Sequence, residues 1–335
     1  MTRFAACGVF FVALCACAVV EPETSVEPET SHVEQAGINM QGIRMQGMNM
    51  LGFRFSGATL GGVALTNVRV ERGELVATRG EETLHGRALE GARLLADVRN
   101  IDVDPPDTAV ATYQIGPIMA EDSRNDPTHT GHTFLYTLQQ QTDDGSFQPA
   151  CSADTDGRQV AIPLAAIWDE HGDRIESSSL FTFGCTTGVI AKCYRWGYRP
   201  WVNGFGDLVP MHQTCTRVAR ADYCGIGVSN THEGTQINVW DRLSPRQIQT
   251  RATSILGLPP VGMIFEAGWN TNGAVCLSHS RWLLPNTLLL VALCPDRLIP
   301  PGLLGTVCDT IPEVLGFDAN ARLFDDASLT NLINQ

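Results

Sequence analysis

Apolar side chains recur every five residues in the first part of the chain. From Ile38 the sequence reads INMQG, IRMQG, MNMLG, FRFSG, ATLGG, VALTN and VRVER, and the first and third residues of each unit are apolar. Glycine closes five successive units, from Gly42 to Gly62. A period of five fits neither an amphipathic helix nor an alternating strand. The pattern therefore predicts short, glycine-punctuated β units over residues 38–77.

Two structures fit this repeat equally well. One is a four-sided β-coil, because the pattern resembles the pentapeptide-repeat family, in which the central apolar residue of each unit points inward. The first position is usually small in that family, whereas Ile38, Ile43, Met48 and Phe53 are large. Seven units also make fewer than two coils, too few to bury a core without a neighbour. The other structure is a β-meander that caps the following domain.

Strand-like alternation continues from Val70 to Tyr136, in segments such as VRVERGELVAT and HTFLYTLQQ. The Arg-Gly pair in the first of these segments marks a turn. Residues 78–145 are therefore predicted to be a β-rich segment.

Three later stretches predict helices. Residues 210–222 begin with proline, a favourable first-turn residue, and a glycine follows shortly after them. Residues 244–256 begin with Ser-Pro and a capping box, and they also end at a glycine. Residues 325–335 predict a short C-terminal helix. The predicted fold class is α+β: a β-rich N-terminal part followed by an α+β domain over residues 146–335.

The N-terminus has the layout of a secretory signal, with a positive Arg3, an apolar run from Phe4 to Val20 and an acidic segment after it. The Leu-Cys-Ala-Cys sequence that ends at Cys17 resembles a bacterial lipobox. Residues 1–17 are therefore predicted to be a lipoprotein signal, and Cys17 is predicted to carry the lipid. Simple secretion is the alternative, and the apolar run is barely long enough for a retained anchor.

Residues 18–37 contain the tandem repeat EPETSVEPETS, which is acidic, rich in proline and nearly without apolar side chains. Such a segment cannot bury a core. It is predicted to be a flexible tether that holds the following domain away from a membrane.

Acidic residues outnumber basic ones along the chain. Its 335 residues include 36 Asp and Glu against 23 Lys and Arg, which gives a net charge of -13. This balance argues against nucleic acid and anionic membrane surfaces as partners. The longest later apolar run, residues 287–294, is too short to cross a bilayer. Membrane contact is therefore predicted through the lipid anchor only, in the bacterial periplasm or at the cell surface.

Cysteine spacing predicts how the second part is held together. Three of the 11 cysteines lie in the signal region. The other eight are Cys151, Cys185, Cys193, Cys215, Cys224, Cys276, Cys294 and Cys308. An even number in a secreted protein predicts four disulfides, which makes residues 146–335 a disulfide-stapled domain. If residues 211–222 are helical, Cys215 and Cys224 lie too far apart to pair with each other.

Cys224 is also the candidate nucleophile, with His279 or His232 as its base. Its surroundings are unfavourable for this role, because Asp222 and the end of a helix both disfavour a thiolate. The half-cystine interpretation is therefore preferred. An envelope hydrolase or transferase that uses Cys224 is the alternative.

Metal and cofactor signals are weak. His129 and His132 are three residues apart, with Asp126 nearby, in a polar segment typical of a loop, and no further ligand is suggested. The sequence has no glycine-rich phosphate loop and no G-x-S-x-G motif. Neither a metal nor a cofactor is predicted.

All six tryptophans lie in the cysteine-rich part. The stretch CYRWGYRPW, residues 193–201, holds four aromatic residues and two arginines. Trp196, Tyr198 and Trp201 are therefore the candidate surface for binding a glycan or peptide by stacking. The alternative is that these side chains fill the core.

Three ordered stretches, FTFGCTTGVIAKCYRWGYRPW, HQTCTRVARADYCG and EAGWNTNGAVCLSHSRW, resemble the ADYC-domain family of bacterial secreted proteins and lipoproteins. The family is named for an Ala-Asp-Tyr-Cys motif, matched here by Ala221, Asp222, Tyr223 and Cys224. The resemblance covers about residues 147–309. It implies an extracytoplasmic location and a cysteine-rich domain, and it assigns no catalytic residue. The expected function is a non-enzymatic binding or structural module of the envelope, with an envelope protein or a glycan as partner.

Overall fold

The computed structural model describes residues 53–100, 107–121, 133–169, 171–232, 235–254, 258–281, 294 and 308–328. The predicted signal peptide, the lipidation site Cys17, the tether and the pair His129 and His132 lie outside these residues. No helix in the described part of the chain is both long and apolar enough to span a bilayer.

Antiparallel strands are the main secondary structure of the described chain. They are β1 (Phe53–Leu60), β2 (Val63–Ala64), β3 (Thr66–Glu71), β4 (Glu74–Arg79), β5 (Glu82–His85), β6 (Arg93–Asn100), β7 (Asp107–Ala120), β8 (Phe134–Gln141), β9 (Phe147–Pro149), β10 (Val160–Leu164), β11 (Ala166–Trp168), β12 (Arg174–Glu176), β13 (Thr182–Cys185), β14 (Ile237–Asp241), β15 (Met263–Asn270), β16 (Gly273–Leu277) and β17 (Leu323–Ser328). The α-helices are α1 (Val189–Arg195), α2 (Val209–Arg220) and α3 (Ile311–Phe317), and Gly86–Leu89 forms a 3-10 turn.

An eight-stranded sheet forms the first layer of the fold. Its order is β13-β10-β8-β7-β6-β1-β2, and β9 pairs with β8. The three-stranded sheet β3-β4-β5 contributes to the same core, because alternate side chains of both sheets point inward. The Tyr136 hydroxyl on β8 accepts a hydrogen bond of 3.0 Å from the Leu75 N–H on β4, which ties the two sheets together.

The described part of the five-residue repeat lies in antiparallel strands. β1 crosses two predicted units and pairs with β6, with a register shift between Phe55 and Gly57. β2 and β3 follow as short strands that pair with β1 and β4. Residues 53–77 therefore form antiparallel strands that are divided between two sheets. The coil interpretation stays a prediction for residues 38–52, which lie outside the described residues.

The eight-stranded sheet continues across the predicted boundary between residues 145 and 146. β9, β10 and β13 all belong to it, and the disulfide Cys151–Cys185 lies in the same core. The first strands of the cysteine-rich part therefore share a sheet with the preceding segment.

The helix predicted at residues 210–222 is confirmed as α2. Pro210 lies in its first turn, and Ala221 ends it in the left-handed conformation with a φ of 50°. The disulfide Cys193–Cys215 joins α2 to α1. The four-stranded sheet β14-β17-β15-β16 contributes to the same core, so this helix is held from two sides.

The helix predicted at residues 244–256 is wrong over 244–254, the part that is described. The buried carboxylate of Asp241, at the end of β14, accepts hydrogen bonds from the Ile248 and Gln249 N–H groups at 3.0 and 2.7 Å. These bonds wrap the segment around a single side chain, and they compete with the helical hydrogen bonds that the sequence pattern predicts.

The predicted C-terminal helix is also wrong where it is described, because Leu323–Ser328 forms β17, an inner strand of the four-stranded sheet. Successive side chains of a strand point to opposite faces. Asp325 binds Arg281, and its neighbour Asp326 binds Arg251. Contacts with arginines that are distant in the sequence therefore stabilise the segment as a strand.

The α+β prediction is confirmed, and so is the number of disulfides. The pairs are Cys151–Cys185, Cys193–Cys215, Cys224–Cys294 and Cys276–Cys308. Cys215 and Cys224 belong to different pairs, as the helical spacing predicts. Four disulfides are typical of an oxidising, extracytoplasmic compartment.

Candidate functional site

The Ala-Asp-Tyr-Cys motif lies at the end of α2, and its polar side chains are bound within the protein. Ala221 caps the helix. The Asp222 carboxylate accepts hydrogen bonds from the Ile226 and Gly227 N–H groups at 3.1 and 2.9 Å, and it forms an ion pair of 2.5 Å with Arg217. Asp222 is fully buried, so these partners replace the water that its charge would otherwise need.

Tyr223 joins the motif to a buried cluster of charges. Its hydroxyl donates a hydrogen bond to Glu266 Oε1 at 2.7 Å and accepts one from the Arg281 N–H at 2.9 Å. Its ring stacks on Trp269, with 5.3 Å between the ring centroids. Burial, with the charge of Glu266 added, raises the pKa of Tyr223 well above its usual value, so the hydroxyl remains a donor.

Arg281 lies at the centre of this cluster. Its guanidinium binds Glu266 at 2.7 Å and Asp325 at 2.9 Å, and all three side chains are fully buried. Burial, with the charge of Glu266 added, raises the pKa of Asp325 well above its usual value. A single guanidinium faces two carboxyl groups, so the raised pKa of Asp325 reduces the excess of negative charge in the cluster.

Cys224, the candidate nucleophile, is bonded to Cys294 and therefore has no thiol in this structure. The two histidines considered as its base lie in unlike surroundings. Burial lowers the pKa of His279, whereas His232 is exposed. The side chains of Asp222, Tyr223 and Cys224 thus bind other parts of the same chain.

A cleft of about 220 Å³ lies between the turn that joins β3 to β4, strand β12 and the segment after α1. We call it the Trp201 cleft. Its walls include Arg72, Gly73, Arg174, Glu176, Tyr194 and Trp201. Of the three aromatic residues predicted as a ligand surface, Trp201 lines this cleft, while Trp196 and Tyr198 are buried in the core.

Close packing fixes Trp201 in the wall of the cleft. Its ring stacks on Tyr194, with 5.2 Å between centroids, and Tyr194 packs on His212 at 4.0 Å. A Cβ atom added at Gly73 would lie 2.5 Å from Trp201 Cζ2, so only glycine allows the turn to approach the indole this closely.

His212 supports this wall from the core. Its Nε2 lies 3.0 Å from the Ile190 carbonyl oxygen. Burial, with the charge of Arg174 added, lowers the pKa of His212 to about 3. The ring is therefore neutral near pH 7, and it does not change the charge of the cleft in that range.

Arg174 gives the cleft a buried positive charge, since its side chain is only 5% exposed. Nη1 forms an ion pair with Glu176, and Nη2 donates a long hydrogen bond of 3.4 Å to the Tyr194 hydroxyl. Nε, like Nη1, is buried and has no hydrogen-bond partner among the described residues. Buried polar groups are nearly always paired, so Nε, on a side chain that lines the cleft, is a candidate donor to a ligand.

The Trp201 cleft is positive within an acidic protein. Arg72 and Arg174 line it together with a single acid, Glu176, while the whole chain has a net charge of -13. A local excess of positive charge attracts anionic groups.

A larger groove of about 1300 Å³ runs past Leu258, Val261 and Ile264 and is mainly apolar. Its arginine, Arg251, is already bound to Asp326, with 2.9 Å between Nε and Oδ2. Small-molecule sites combine apolar walls with a few polar groups that orient the ligand. The larger groove also has polar groups at Ser254, Ser278 and Asp309. The Trp201 cleft is the better candidate site because it joins an aromatic wall to a buried arginine whose Nε makes no hydrogen bond with the described residues.

Metal ligands do not cluster in the described part of the chain. No group of three or more His, Cys, Asp or Glu residues there is placed to hold a metal ion.

A family model described as the ADYC domain matches residues 86–283, more than half of the chain. The matched region starts earlier than the sequence resemblance indicates, and it contains Arg174 and Trp201 as well as the Ala-Asp-Tyr-Cys motif. Comparison with curated proteins and with solved structures gave no match.

Proposed function

The chain belongs to the ADYC-domain family, and from that premise we propose that it is a non-enzymatic module of the bacterial envelope that binds a glycan in the Trp201 cleft. The observation that carries the proposal is an aromatic wall at Trp201 beside the buried, incompletely paired Arg174. Aromatic rings present a large apolar face on which a sugar ring can stack, and a few fixed polar groups orient it.

The alternative function, a hydrolase or transferase that uses Cys224, has less support. Its nucleophile is bonded to Cys294. A thiolate is required for such chemistry.

We further propose that Cys17 carries a lipid and that residues 18–37 tether the domain to the membrane. Mass spectrometry of protein purified from a bacterial host is expected to find an N-terminus at Cys17 with the mass of a lipid attached. Cys17→Ser should abolish the modification and the membrane association, whereas Cys15→Ser should keep both. An unmodified cleavage site away from Cys17 would contradict the anchor.

Trp201→Leu is expected to weaken glycan binding about tenfold, because leucine fills similar space and lacks the aromatic face. Binding of the full-length protein to an array of neutral and acidic oligosaccharides measures this loss. Val261→Ala, in the larger groove, is the matched control and should bind like the original protein. Absence of binding to every glycan on the array, or equal binding by Trp201→Leu, would overturn the proposed function.

A further inference from the structure

We infer that the Trp201 cleft takes an acidic saccharide whose carboxylate replaces Glu176 on Arg174. This inference rests on the proposed glycan-binding function and names the class of sugar. It starts from three charged side chains that line the cleft among the described residues: Arg72, Arg174 and Glu176.

Arg174 has the geometry of an occupied carboxylate site. An arginine binds a carboxylate best through two parallel N–H bonds, and here Glu176 contacts Nη1 as an ion pair while neither Nη1 nor Nε makes a hydrogen bond with the described residues. The Glu176 side chain is 59% exposed, so water can solvate it readily when it leaves. Arg174 cannot leave in the same way, because its side chain is buried. Glu176 therefore stands where the carboxylate of a ligand would bind.

Arg72 adds a second cation at the rim of the cleft. It occupies the first position of the two-residue turn between β3 and β4, with a φ of 51°, and Gly73 follows with a φ of 77°. Asn followed by Gly is the usual sequence for such a turn. The backbone conformation therefore does not explain an arginine at this position. Its side chain is exposed and makes no ion pair with the described residues. A neutral ligand would gain little from this charge.

The size of the cleft fits one ring of a sugar. A volume of 220 Å³ corresponds to about seven water molecules at the volume each has in the liquid. That is below the usual range for a drug-sized pocket. One uronic-acid residue can place its ring against Trp201 and its carboxylate on Arg174.

The test compares methyl β-D-glucuronide with methyl β-D-glucoside, which share a ring and differ only in the carboxylate. Titration of the full-length protein at constant ionic strength, followed by the Trp201 indole N–H signal in NMR, gives the two affinities. The glucuronide is expected to bind at least tenfold more tightly. The indole N–H signal that is missing from the spectrum of Trp201→Leu is the signal of Trp201.

Three variants test the exchange of carboxylates. Glu176→Gln is expected to tighten glucuronide binding severalfold, because the competing carboxylate is gone. Arg174→Lys should weaken it about tenfold, since lysine keeps the charge and loses the paired donors. Arg72→Asn should weaken it severalfold and leave the melting temperature unchanged or higher, because asparagine suits the turn.

The outcomes separate the inference from the proposed function. If both sugars bind with equal affinity, or if none of the three variants changes glucuronide binding, the acidic-sugar inference fails and glycan binding stands. If acetate binds as tightly as the glucuronide, the site recognises a bare carboxylate and the inference also fails. If neither sugar binds and no glycan is retained on the array, the proposed function itself fails.

Discussion

Glu266→Gln is expected to lower the free energy of unfolding by about 3–5 kcal/mol, one of the largest losses that any single substitution should cause. The Arg281 guanidinium would keep its charge in a fully buried site, while one of the two carboxyl groups that bind it would be gone. Glutamine has nearly the same shape and can still accept the hydrogen bond from Tyr223. The loss of stability therefore measures mainly the removal of the negative charge. Urea denaturation of the full-length protein with intact disulfides measures it.

Asp325→Asn is the matched control for this substitution, and its cost should be only about 1–2 kcal/mol. The raised pKa of Asp325 favours its neutral form, so asparagine is expected to cost mainly a hydrogen-bond acceptor and little charge. The acceptor matters because Asp325 binds both Trp269 Nε1, at 2.8 Å, and Arg281 Nη2, at 2.9 Å. Equal losses in the two variants, or a larger loss in Asp325→Asn, would place the negative charge on Asp325 and contradict this assignment.

The same cluster predicts a dependence of stability on pH. The pKa of Asp325 is raised in the folded state, so its contribution to stability is complete below its unfolded pKa of about 3.9. The contribution is lost as the pH rises toward the folded pKa. In Asp325→Asn this part of the pH dependence should therefore disappear.

The sequence predicts those features of the fold that depend on residues close together in the chain. Pro210 at the start of α2 and the spacing of its apolar positions define a helix without help from the rest of the fold. The helix in turn keeps Cys215 and Cys224 apart, because its geometry is fixed. The even number of cysteines gives the number of disulfides for a similar reason, since only the compartment has to be known.

Predictions failed where a distant side chain decides the local structure. Residues 244–254 have a good capping sequence, yet the buried Asp241 carboxylate binds their N–H groups. Asp325 and Asp326 suggest a solvated helix end, yet each binds an arginine on an opposite face of β17. Nothing near these residues in the sequence indicates those partners.

The Trp201 cleft escapes sequence analysis for the same reason. Arg72, Arg174 and Trp201 come from three separate elements, and only the fold brings them together. The Arg-Gly pair at the β3–β4 turn predicts a turn, and the aromatic stretch near Trp201 predicts stacking. An arginine in a left-handed turn position is the one local signal that could have suggested a function.

Helix α2 links the Ala-Asp-Tyr-Cys motif to this cleft. Arg217 on α2 binds both Asp222 of the motif and Asp173, the residue before β12, at 2.5 Å each. Gln213, one turn earlier, accepts a hydrogen bond of 3.0 Å from the Arg174 N–H. The motif therefore positions the cleft through the helix that it terminates, and it need not contact the ligand to matter for binding.

Removal of the Cys224–Cys294 disulfide is expected to lower the free energy of unfolding by about 4 kcal/mol, from the chain entropy of a loop whose ends are 70 residues apart. Cys224→Ala, Cys294→Ala and the double variant should all lose about the same amount, because each breaks the same bond. A catalytic thiol predicts a different pattern, in which Cys224→Ala removes activity and keeps stability.

Thiol titration under denaturing, non-reducing conditions checks directly whether Cys224 is bonded. The eight cysteines after residue 150 should give no free thiol, and Cys294→Ala should release one that maps to Cys224. A free thiol at Cys224 in the unaltered protein would contradict the staple and restore the nucleophile.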